Sequence, residues 1–519
     1  MSRYNKATID KLDLFFSPQS INNRLLVTQG IKNLERKYSD VEFIFCSDIS
    51  CLEILRYAFS IPFVAEKSEN SSYGEKDEML LFKVILLINE KIVKYNSELT
   101  DCPLAELSFL TSAMNPTVKS YNENEKKDRA IFQLEMARLF WWMLTSDEKY
   151  SYIYQRFLQE HGINQWQDYV LTLVGILCMI NCQSGCIKIN QDKYISTNVL
   201  NSITLHFDEV IKYSSEEPNE RNSNTDYRVF RNKPIIVLPN GDFFIFNIEF
   251  LIDKLFNSLY YEFKDYYPKE KFQSDIKQLF TKTFCEQLVL NFYLGKCIGN
   301  QCREHLAESD CKIVNGKNKI GPPDYIILTQ SSLLLFECKD IRINGEVLES
   351  HNLEKILQAY RNKFYKKDCG NNKYKNVGIT QLTEHIRSVR EGAFSWVNVN
   401  KEIDIYPVLI LSDYKNVRMG FSKIANQWYE DALFEKGLHS KNNKPLIVLS
   451  FITLFKYNHL FKEKGFEYYF DEYFKYLDEK DITIDIINFD DFMLHYPQEL
   501  KELSTAIIDI LHAISTNSE

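Results

Sequence analysis

The chain has 519 residues, which is enough for two or more domains with cores of their own. Hydrophobic residues make up 45% and charged residues 26%, as in an ordinary globular protein, and 17 Gly and 13 Pro are too few for a fibrous or largely disordered chain. The formal net charge of −9 argues against a wholly basic surface that would coat nucleic acid, but it leaves room for a local basic channel.

The start of the chain and its cysteines indicate a reducing compartment. The first residues, MSRYNKATIDK, lack the basic and then apolar pattern of a signal peptide, and the longest apolar run, residues 169–180, is too short to cross a bilayer. The twelve Cys follow no zinc-site spacing. Cys178, Cys182 and Cys186 recur every fourth residue, which we interpret as small buried thiols on one helix face. We therefore expect a cytoplasmic protein that contacts no membrane.

Residues 1–212 are predicted to form a mainly α-helical domain. Apolar residues recur at helical spacing in 79–93 and 130–144, and Asp128 stands where it would cap the second helix. Residues 41–45 and 61–64 have the alternative pattern of short strands. This domain contains no catalytic arrangement, so we expect it to serve recognition, regulation or binding of a partner protein.

The polar residues 213–230 predict a linker, after which strand and helix patterns mix. A hairpin is predicted at 234–248, with its turn around Asn240 and Gly241. We further predict helices and strands in the following order: helices at 249–261 and 272–294, strands within 310–340, helices at 350–366 and 379–391, strands at 403–411 and 445–451, and a helix at 497–514. Residues 231–519 are therefore predicted to be an α/β or α+β domain.

The most informative segment is residues 321–340, GPPDYIILTQSSLLLFECKD. Two apolar runs, 325–328 and 333–336, flank the polar residues 329–332. This pattern is typical of a β-hairpin with a four-residue loop.

The register of this hairpin would gather charged side chains. Counting outward from a symmetric loop, Leu328 faces Leu333 and Asp324 faces Glu337, and directly opposed residues point to the same face. Lys339, two residues past Glu337, points to that face as well. Two adjacent carboxylates repel each other, and Mg²⁺, or Mn²⁺ in its place, would relieve the repulsion through oxygen ligands. Lys339 could then orient a water molecule and stabilise charge on a phosphate.

Glu-x-Lys by itself is a weak signal. The chain also contains it at Glu35, Glu125, Glu262 and Glu499, none of which ends an apolar strand. The alternative interpretation is an ordinary hairpin that ends in a surface salt bridge. The upstream Pro-Asp, the hairpin spacing and the LLLF run before Glu337 favour the metal site.

The segment resembles the PD-(D/E)xK nuclease superfamily, whose fold is restriction-endonuclease-like. The resemblance covers about residues 272–411 and implies a Mg²⁺-dependent endodeoxyribonuclease. It implies that Asp324, Glu337 and the backbone carbonyl of Cys338 bind the metal and that Lys339 is catalytic. It implies DNA as the partner, with RNA left open, and by analogy alone a role in antiviral defence or DNA processing.

Two further site residues follow from the same resemblance. Many members carry a glutamate on the helix before the sheet, for which Glu286 is the candidate metal ligand and catalytic residue; the alternative is a Glu at the edge of the apolar stripe that reaches solvent. Some members carry a glutamine on the helix after the motif, which predicts Gln381 as catalytic. An exposed helical glutamine accounts for Gln381 equally well.

A cationic segment follows the motif. Residues 355–375 contain seven Lys or Arg and one Asp, interleaved with aromatic residues, which suits contact with a phosphate backbone as well as it suits a solvated helix and loop. The predicted nucleic-acid-binding residues are Arg361, Lys363, Lys366, Lys367, Lys373 and Lys375.

Two other functions remain open from the sequence. One is a nuclease-like module that binds nucleic acid without cutting it, and the intact set of Asp324, Glu337 and Lys339 argues against it. The other is an interaction protein whose N-terminal domain does the work. Cutting both strands of a duplex would favour a homodimer, although nothing in the sequence indicates one.

The cysteine pattern predicts that the protein has no structural disulfide. Titration of free thiols in denaturant without reductant should return a value close to the twelve Cys of the chain. A clearly lower count would contradict the prediction.

Overall fold

The computed structural model describes thirteen segments of the chain: residues 52–54, 79–80, 82–89, 103–113, 123–179, 186–187, 195–206, 227–237, 243–311, 321–350, 352–370, 373–478 and 486–496. The predicted strands at 41–45 and 61–64, the predicted helix at 497–514 and most of the predicted linker lie outside these residues.

Helices dominate the described N-terminal half, as predicted. Residues 79–80 and 82–89 are helical, and they are followed by α1 (Leu104–Ala113), α2 (Glu123–Ser146), α3 (Ser151–His161), α4 (Trp166–Met179) and α5 (Thr197–Ile203). The predicted cap residue Asp128 lies inside α2, so that prediction is wrong. Its carboxylate is instead buried in an ion pair with Lys456, far along the chain.

A small four-stranded sheet follows α4. Its strands pair in the order β1-β4-β3-β2, and they are β1 (Cys186–Ile187), β2 (Thr204–Leu205), β3 (Ile235–Val237) and β4 (Phe243–Ile245). The predicted hairpin at 234–248 is confirmed, because β3 and β4 are antiparallel with Ile235 opposite Ile245.

The cysteine interpretation for this region is wrong. Helix α4 ends at Met179 and Cys178 is exposed, while Cys186 lies in β1. These two thiols therefore cannot share one buried helix face, and Cys182 lies outside the described residues.

The helix predicted at 249–261 is two helices separated by hydrogen-bonded turns at 254–258. The helices of this region are α6 (Arg228–Asn232), α7 (Ile248–Asp253), α8 (Leu259–Tyr266) and the long α9, which is continuous over residues 269–297.

Helix α9 contains two stretches of π-helix, Phe272–Ile276 and Leu279–Val289. A π-helix bonds residue i to i+5, so residues five apart come to one face. The buried side chains follow that spacing as adjacent pairs at 279–280, 284–285 and 289–290. The predicted helix at 272–294 is therefore confirmed, but with a wider turn than the α-helix that we expected.

A five-stranded mixed sheet organises the C-terminal half. Its order is β5-β6-β7-β10-β11; the β5–β6 and β6–β7 pairs are antiparallel, and the β7–β10 and β10–β11 pairs are parallel. A separate hairpin, β8–β9, lies outside this sheet. The strands are β5 (Cys302–Ala307), β6 (Tyr325–Thr329), β7 (Ser332–Lys339), β8 (Lys366–Asp368), β9 (Tyr374–Asn376), β10 (Asp404–Leu411) and β11 (Ile447–Ser450).

Seven helices are described after β7. They are α10 (Gly345–Glu349), α11 (Leu353–Phe364), α12 (Ile379–Glu391), α13 (Phe421–Glu435), α14 (Phe451–Lys464), α15 (Phe466–Asp478) and α16 (Phe489–Met493). The predicted helices at 350–366 and 379–391 and the predicted strands at 403–411 and 445–451 are confirmed. Strands and helices mixed in this way make the protein a mixed α/β structure.

The five-stranded sheet is apolar on both faces, because side chains alternate along each strand. On β7, Leu334 and Phe336 join a hydrophobic cluster with α9, α14 and α15, whereas Leu333 and Leu335 join a second cluster with α11, α12 and α13. Burial on both sides explains why β6, β7 and β10 are nearly continuous apolar runs.

The two predicted domains pack against each other directly. Phe140 of α2 contacts Phe280 and Phe284 of α9, with ring centroids 4.7 and 5.2 Å apart. In addition, Arg129 of α2 forms a 2.6 Å ion pair with Glu249 of α7. The division into domains stays a prediction, but the described helices of the first half share the hydrophobic cluster that supports the sheet of the second.

Among the described residues, no helix is both long and apolar enough to span a bilayer. The cysteines whose state is described are free thiols; they are Cys178, Cys285, Cys297, Cys302, Cys311, Cys338 and Cys369.

We predict that Arg129→Met lowers the free energy of unfolding by about 3–5 kcal/mol, because it leaves the carboxylate of Glu249 buried without its cation. Denaturant unfolding measures this loss. The matched control is Arg156→Met, which breaks a half-exposed pair with Glu160 on α3 and should cost less than about 1 kcal/mol. Equal losses for the two variants would show that the ion pair between α2 and α7 stabilises the fold no more than the half-exposed pair on α3 does.

Candidate functional site

The predicted register of the hairpin is confirmed. Leu328 lies opposite Leu333 and Tyr325 lies opposite Phe336, so Asp324, which directly precedes β6, stands across from Glu337. The connection is tighter than predicted, since both strands extend further and only residues 330–331 lie between them. The hydroxyls of Thr329 and Ser332 hydrogen-bond at 2.7 Å across this turn, and the register is unchanged because the turn stays symmetric.

The side chain of Asp324 is hydrogen-bonded to β7, the strand that carries Glu337 and Lys339. Its Oδ2 accepts a hydrogen bond from the backbone N–H of Cys338 at 2.7 Å. Its own backbone carbonyl accepts the N–H of Glu308 at 3.0 Å. The side chain of Cys338 is fully buried on the opposite face of the strand, as the alternation predicted.

Glu337 and Lys339 form an ion pair on the other face of β7. The Lys339 Nζ donates to Glu337 Oε1 at 2.5 Å; the glutamate side chain is 2% exposed and the lysine side chain 18% exposed. The parallel strand β10 fixes this end of β7, because Leu409 and Leu411 pair with the two residues and the N–H of Ser412 donates to the Lys339 carbonyl at 3.1 Å. The lysine side chain is therefore partly exposed at the edge of a buried carboxyl pair.

The buried carboxyl groups hold their protons more tightly than usual. Burial, and then the nearby Asp324, raises the pKa of Glu337 to about 8 despite the Lys339 ammonium. Burial also raises the pKa of Asp324, against the opposing effects of Lys339 and the Cys338 N–H. Burial alone would lower the pKa of Lys339, but Glu337 and Asp324 together raise it above its usual value. Ionisation of both carboxyl groups would thus leave more negative charge than one ammonium can neutralise.

Glu286 brings a third carboxyl group to the same place. It lies in the π-helical part of α9 and is partly buried, and burial followed by repulsion from Asp324 raises its pKa to about 7. Its electrostatic partners also include Lys339, which attracts it. The structure therefore brings Glu286 together with the hairpin residues, as predicted, although α9 packs on the sheet face opposite to that of Glu337.

Two charged residues near the site were missed by the sequence analysis. Lys282 and Glu308 lie 3.8 Å apart, and both act electrostatically on Asp324 and Glu286. The signal for Lys282 was its place four residues before Glu286 on one helix. Glu308 carried no comparable signal, because it follows β5, whose position beside β6 is a tertiary feature.

Gln381 has a capping role in the structure. Its Oε1 accepts the N–H of Gly378 at 2.7 Å, which closes the first turn of α12. Gly378 has a positive φ of 49°, and a Cβ there would lie 2.7 Å from the carbonyl oxygen of Phe364, so the turn requires glycine. The contact of Gln381 is thus with backbone, and a catalytic role for it stays a prediction.

The cationic residues predicted to bind nucleic acid differ in their contacts within the protein. Lys366 forms an ion pair with Glu435 at 2.7 Å, and the Arg361 guanidinium lies 5.7 Å from the ring centroid of Trp428. These two side chains are occupied by contacts within the protein. Lys363, Lys367, Lys373 and Lys375 form no ion pair among the described residues.

The donor set suits a divalent cation with oxygen ligands. Asp324, Glu337 and Glu286 offer carboxyl oxygens; burial, and after it neighbouring carboxylates, raises their pKa values, and a bound cation would favour their charged forms. The carbonyl of Cys338 points to the same side of β7 as its N–H, and therefore toward Asp324. In the part of the chain that is described, no three His, Cys, Asp or Glu side chains already stand close enough together to hold a metal ion. Binding would thus require Asp324 or Glu337 to exchange a protein donor for the cation.

Comparison with known proteins gives no assignment: no family model matches the chain, and neither a curated protein nor a solved structure matches it.

We predict that Glu286→Gln stabilises the metal-free protein relative to the parent at pH 8 but not at pH 4. The pKa of Glu286 is about 7 in the folded protein against a usual 4.5, so its protonated form stabilises the fold below pH 4.5 and that contribution is lost as the pH rises through 7. The glutamine stays neutral throughout. Denaturant unfolding in the presence of a chelator, at pH values from 4 to 8, measures the difference.

The control for this prediction is Glu304→Gln, a neutralisation on the exposed part of β5. Its effect on the free energy of unfolding should not increase with pH as the effect of Glu286→Gln does. A difference between Glu286→Gln and the parent that stays constant with pH would place Glu286 outside the electrostatic field of Asp324 and Lys339.

Proposed function

We propose that this chain is a Mg²⁺-dependent nuclease of the PD-(D/E)xK type that hydrolyses phosphodiester bonds in DNA. The observation that carries the proposal is the convergence of Asp324, Glu337 and Lys339 at one end of a buried hairpin, with Glu286 beside them. An incidental salt bridge would not require three carboxyl groups around one ammonium, since burying them is costly without a ligand.

The order of elements supports a restriction-endonuclease-like fold. Helix α9 carries Glu286, the antiparallel strands β6 and β7 present Asp324 and Glu337, and the parallel strand β10 follows after α11 and α12. These are the positions that the resemblance to the PD-(D/E)xK superfamily implies for its carboxylates. The agreement lies in the topology as well as in the short motif, so the two lines of support are independent.

The roles of the side chains follow from their surroundings. Asp324, Glu337 and the Cys338 carbonyl would hold the cation, with Glu286, on which Asp324 acts electrostatically, as a further candidate ligand. Bound there, Mg²⁺ would supply positive charge to a phosphate oxygen and acidify a water molecule. Lys339 is more exposed than Glu337, so its ammonium can leave the ion pair to orient the attacking water and meet the charge that develops on the phosphate. The elevated pKa of Lys339 makes it a charged donor rather than a general base.

We predict that three substitutions separate metal binding from turnover. Asp324→Asn and Glu337→Gln should weaken binding of Mg²⁺ and abolish cleavage, because each removes a ligand charge while keeping side-chain shape. Lys339→Ala should keep metal binding and lower the cleavage rate by about 10²–10³, the usual cost of one preorganised electrostatic partner. The measurements are cleavage of circular single-stranded and supercoiled double-stranded DNA, metal titration and melting temperature for each variant.

Circular substrates decide whether cutting is endonucleolytic, since an exonuclease needs a free end. The control is Lys264→Ala, an exposed lysine on α8, which should leave all three measurements unchanged. If Lys339→Ala cuts at the parent's rate, the nuclease assignment loses its central residue. A DNA-binding module without catalysis would then be the better description.

A further inference from the structure

The hairpin β8–β9 has two chemically different faces. Lys367 lies directly opposite Lys375, and the N–H of Cys369 donates to the carbonyl of Lys373 at 2.9 Å, which continues the pairing by one step. Opposed residues share a face and successive residues alternate. Three lysines, Lys367, Lys373 and Lys375, therefore stand on one face, while Asp368 and Tyr374 stand on the other.

The face that carries Asp368 is tied to the body of the protein. Lys366 pairs with Glu435 of α13 at 2.7 Å, and the Asn376 amide lies 3.5 Å from Glu384 of α12. The base of the hairpin is held as well, because the N–H of Val377 donates to the carbonyl of Tyr365. The lysine face is thus directed away from these two helices.

The three lysines of the outward face, which we call the lysine ribbon (Lys367, Lys373 and Lys375), are exposed and form no ion pair with any described residue. Like charges directly opposite each other weaken a two-stranded pairing. Solvated lysines on a loop would have the same exposure, but here the three lysines share one face, while Asp368 and the acids that contact Lys366 and Asn376 lie toward the other. This one-sided arrangement suits an anionic partner that covers the outward face.

Positive charge near the lysine ribbon also comes from α9 and α11. Burial lowers the pKa of Lys363 at the end of α11, and repulsion from Lys277 of α9 and Lys367 of the ribbon lowers it further. Lys277 precedes Glu286 by nine residues on α9. Lys282 lies between them on the same helix.

Helix α11 is anchored at the catalytic end of the sheet. The Tyr360 hydroxyl donates to the Asn416 side chain at 3.5 Å, and the Asn416 amide donates at 3.0 Å to the carbonyl of Ile341, which lies two residues past Lys339. Helix α11 ends at Phe364, two residues before β8 begins, so the ribbon follows directly from a helix that is held near Lys339.

We propose that the lysine ribbon docks into the major groove of a B-form DNA duplex and contacts its phosphates, so that the substrate of the site is double-stranded DNA. This inference rests on the proposed nuclease function and specifies its substrate. A two-stranded ribbon fits the major groove of B-DNA, which is about 12 Å wide, whereas the major groove of an RNA duplex is too narrow. A single strand would instead need aromatic rings on the binding face, and the ring of the hairpin, Tyr374, stands on the other face.

The test is equilibrium binding without cleavage, in a chelator, of the triple variant Lys367→Gln/Lys373→Gln/Lys375→Gln. The probes are a 30-base-pair DNA duplex, one of its single strands and an RNA duplex of the same sequence, each over a series of salt concentrations. We expect the Kd for duplex DNA to rise at least about tenfold and its salt slope to fall by about 2.7, since each lost phosphate contact contributes about 0.9. Binding of the single strand and of the RNA duplex should change much less.

The matched control removes the same charge elsewhere. Lys441 precedes β11 at the sheet end opposite to Lys339, and Lys462 and Lys464 lie at the end of α14 on the other face of the sheet, all three exposed. The control triple variant Lys441→Gln/Lys462→Gln/Lys464→Gln should bind duplex DNA with nearly the parent's salt slope. Cleavage by the lysine-ribbon variant at saturating duplex should keep the parent's kcat while KM rises.

Three outcomes would overturn the inference. Equal salt slopes for the two triple variants would show that the ribbon does not contact DNA, and equal losses for duplex and single-stranded DNA would show that it does not select a duplex. Absence of duplex binding by the parent protein would remove the partner altogether. The first two leave the nuclease proposal intact if cleavage still depends on Lys339, so the two proposals can fail separately.

Discussion

The burial of two carboxyl groups side by side at the end of one hairpin is the constraint on which the rest of this structure depends. Each group would take up a proton or leave the interior if nothing compensated it. The compensation comes from the residues directly after Glu337. The Cys338 N–H points across to Asp324, and the Lys339 side chain returns to the face of Glu337. Three consecutive residues thus supply an acid, a backbone donor and a cation, because a strand alternates the direction of its side chains.

The Cys338 N–H and the Lys339 ammonium do not fully compensate the burial of the carboxyl groups. Glu286 adds a third carboxyl from α9, on the opposite side of the sheet, and the pKa values of all three acids remain raised. A fully neutralised cluster would have no reason to bind a cation. Glu337 and Asp324 raise the pKa of Lys339 and so keep its ammonium protonated at neutral pH, and the same carboxyl groups are the oxygen ligands of the proposed Mg²⁺ site.

The position of Glu286 depends on the first half of the chain. Phe140 of α2 stacks on Phe280 in the π-helical part of α9, and the ion pair of Arg129 with Glu249 fixes α2 against α7. A displacement of α2 would be passed on to α9, because a close-packed interface between helices does not deform continuously. A partner that shifted α2 would shift the helix that carries Glu286. The helical half is thereby a structural support of the site as well as a candidate for recognition.

How well the sequence predicts an element depends on the residue spacing at which that element returns side chains to the same face. The hairpin register followed from counting outward along two strands, because a period of two is insensitive to small errors in loop length: the loop is two residues shorter than predicted, yet Asp324 still faces Glu337. Helix α9 was predicted with the α-helical period, although its buried pairs at 279–280, 284–285 and 289–290 already had the spacing of five that a π-helix requires. Contacts between distant segments, such as Asp128 with Lys456 or Glu308 with Lys282, had no local signal and could not be predicted.

An acidic chain that acts on DNA must keep its anions and its cations apart. A carboxyl cluster repels phosphate, and a net charge of −9 adds to that repulsion at long range. At physiological ionic strength, however, exposed charges separated by more than about 8 Å are largely screened from each other. A phosphate backbone bound by the lysine ribbon beyond that distance would meet little opposition from the carboxyl groups. In the proposed nuclease, the final approach of phosphate to Asp324 and Glu337 would depend on the cation that neutralises them, which would make cutting conditional on metal while binding is not.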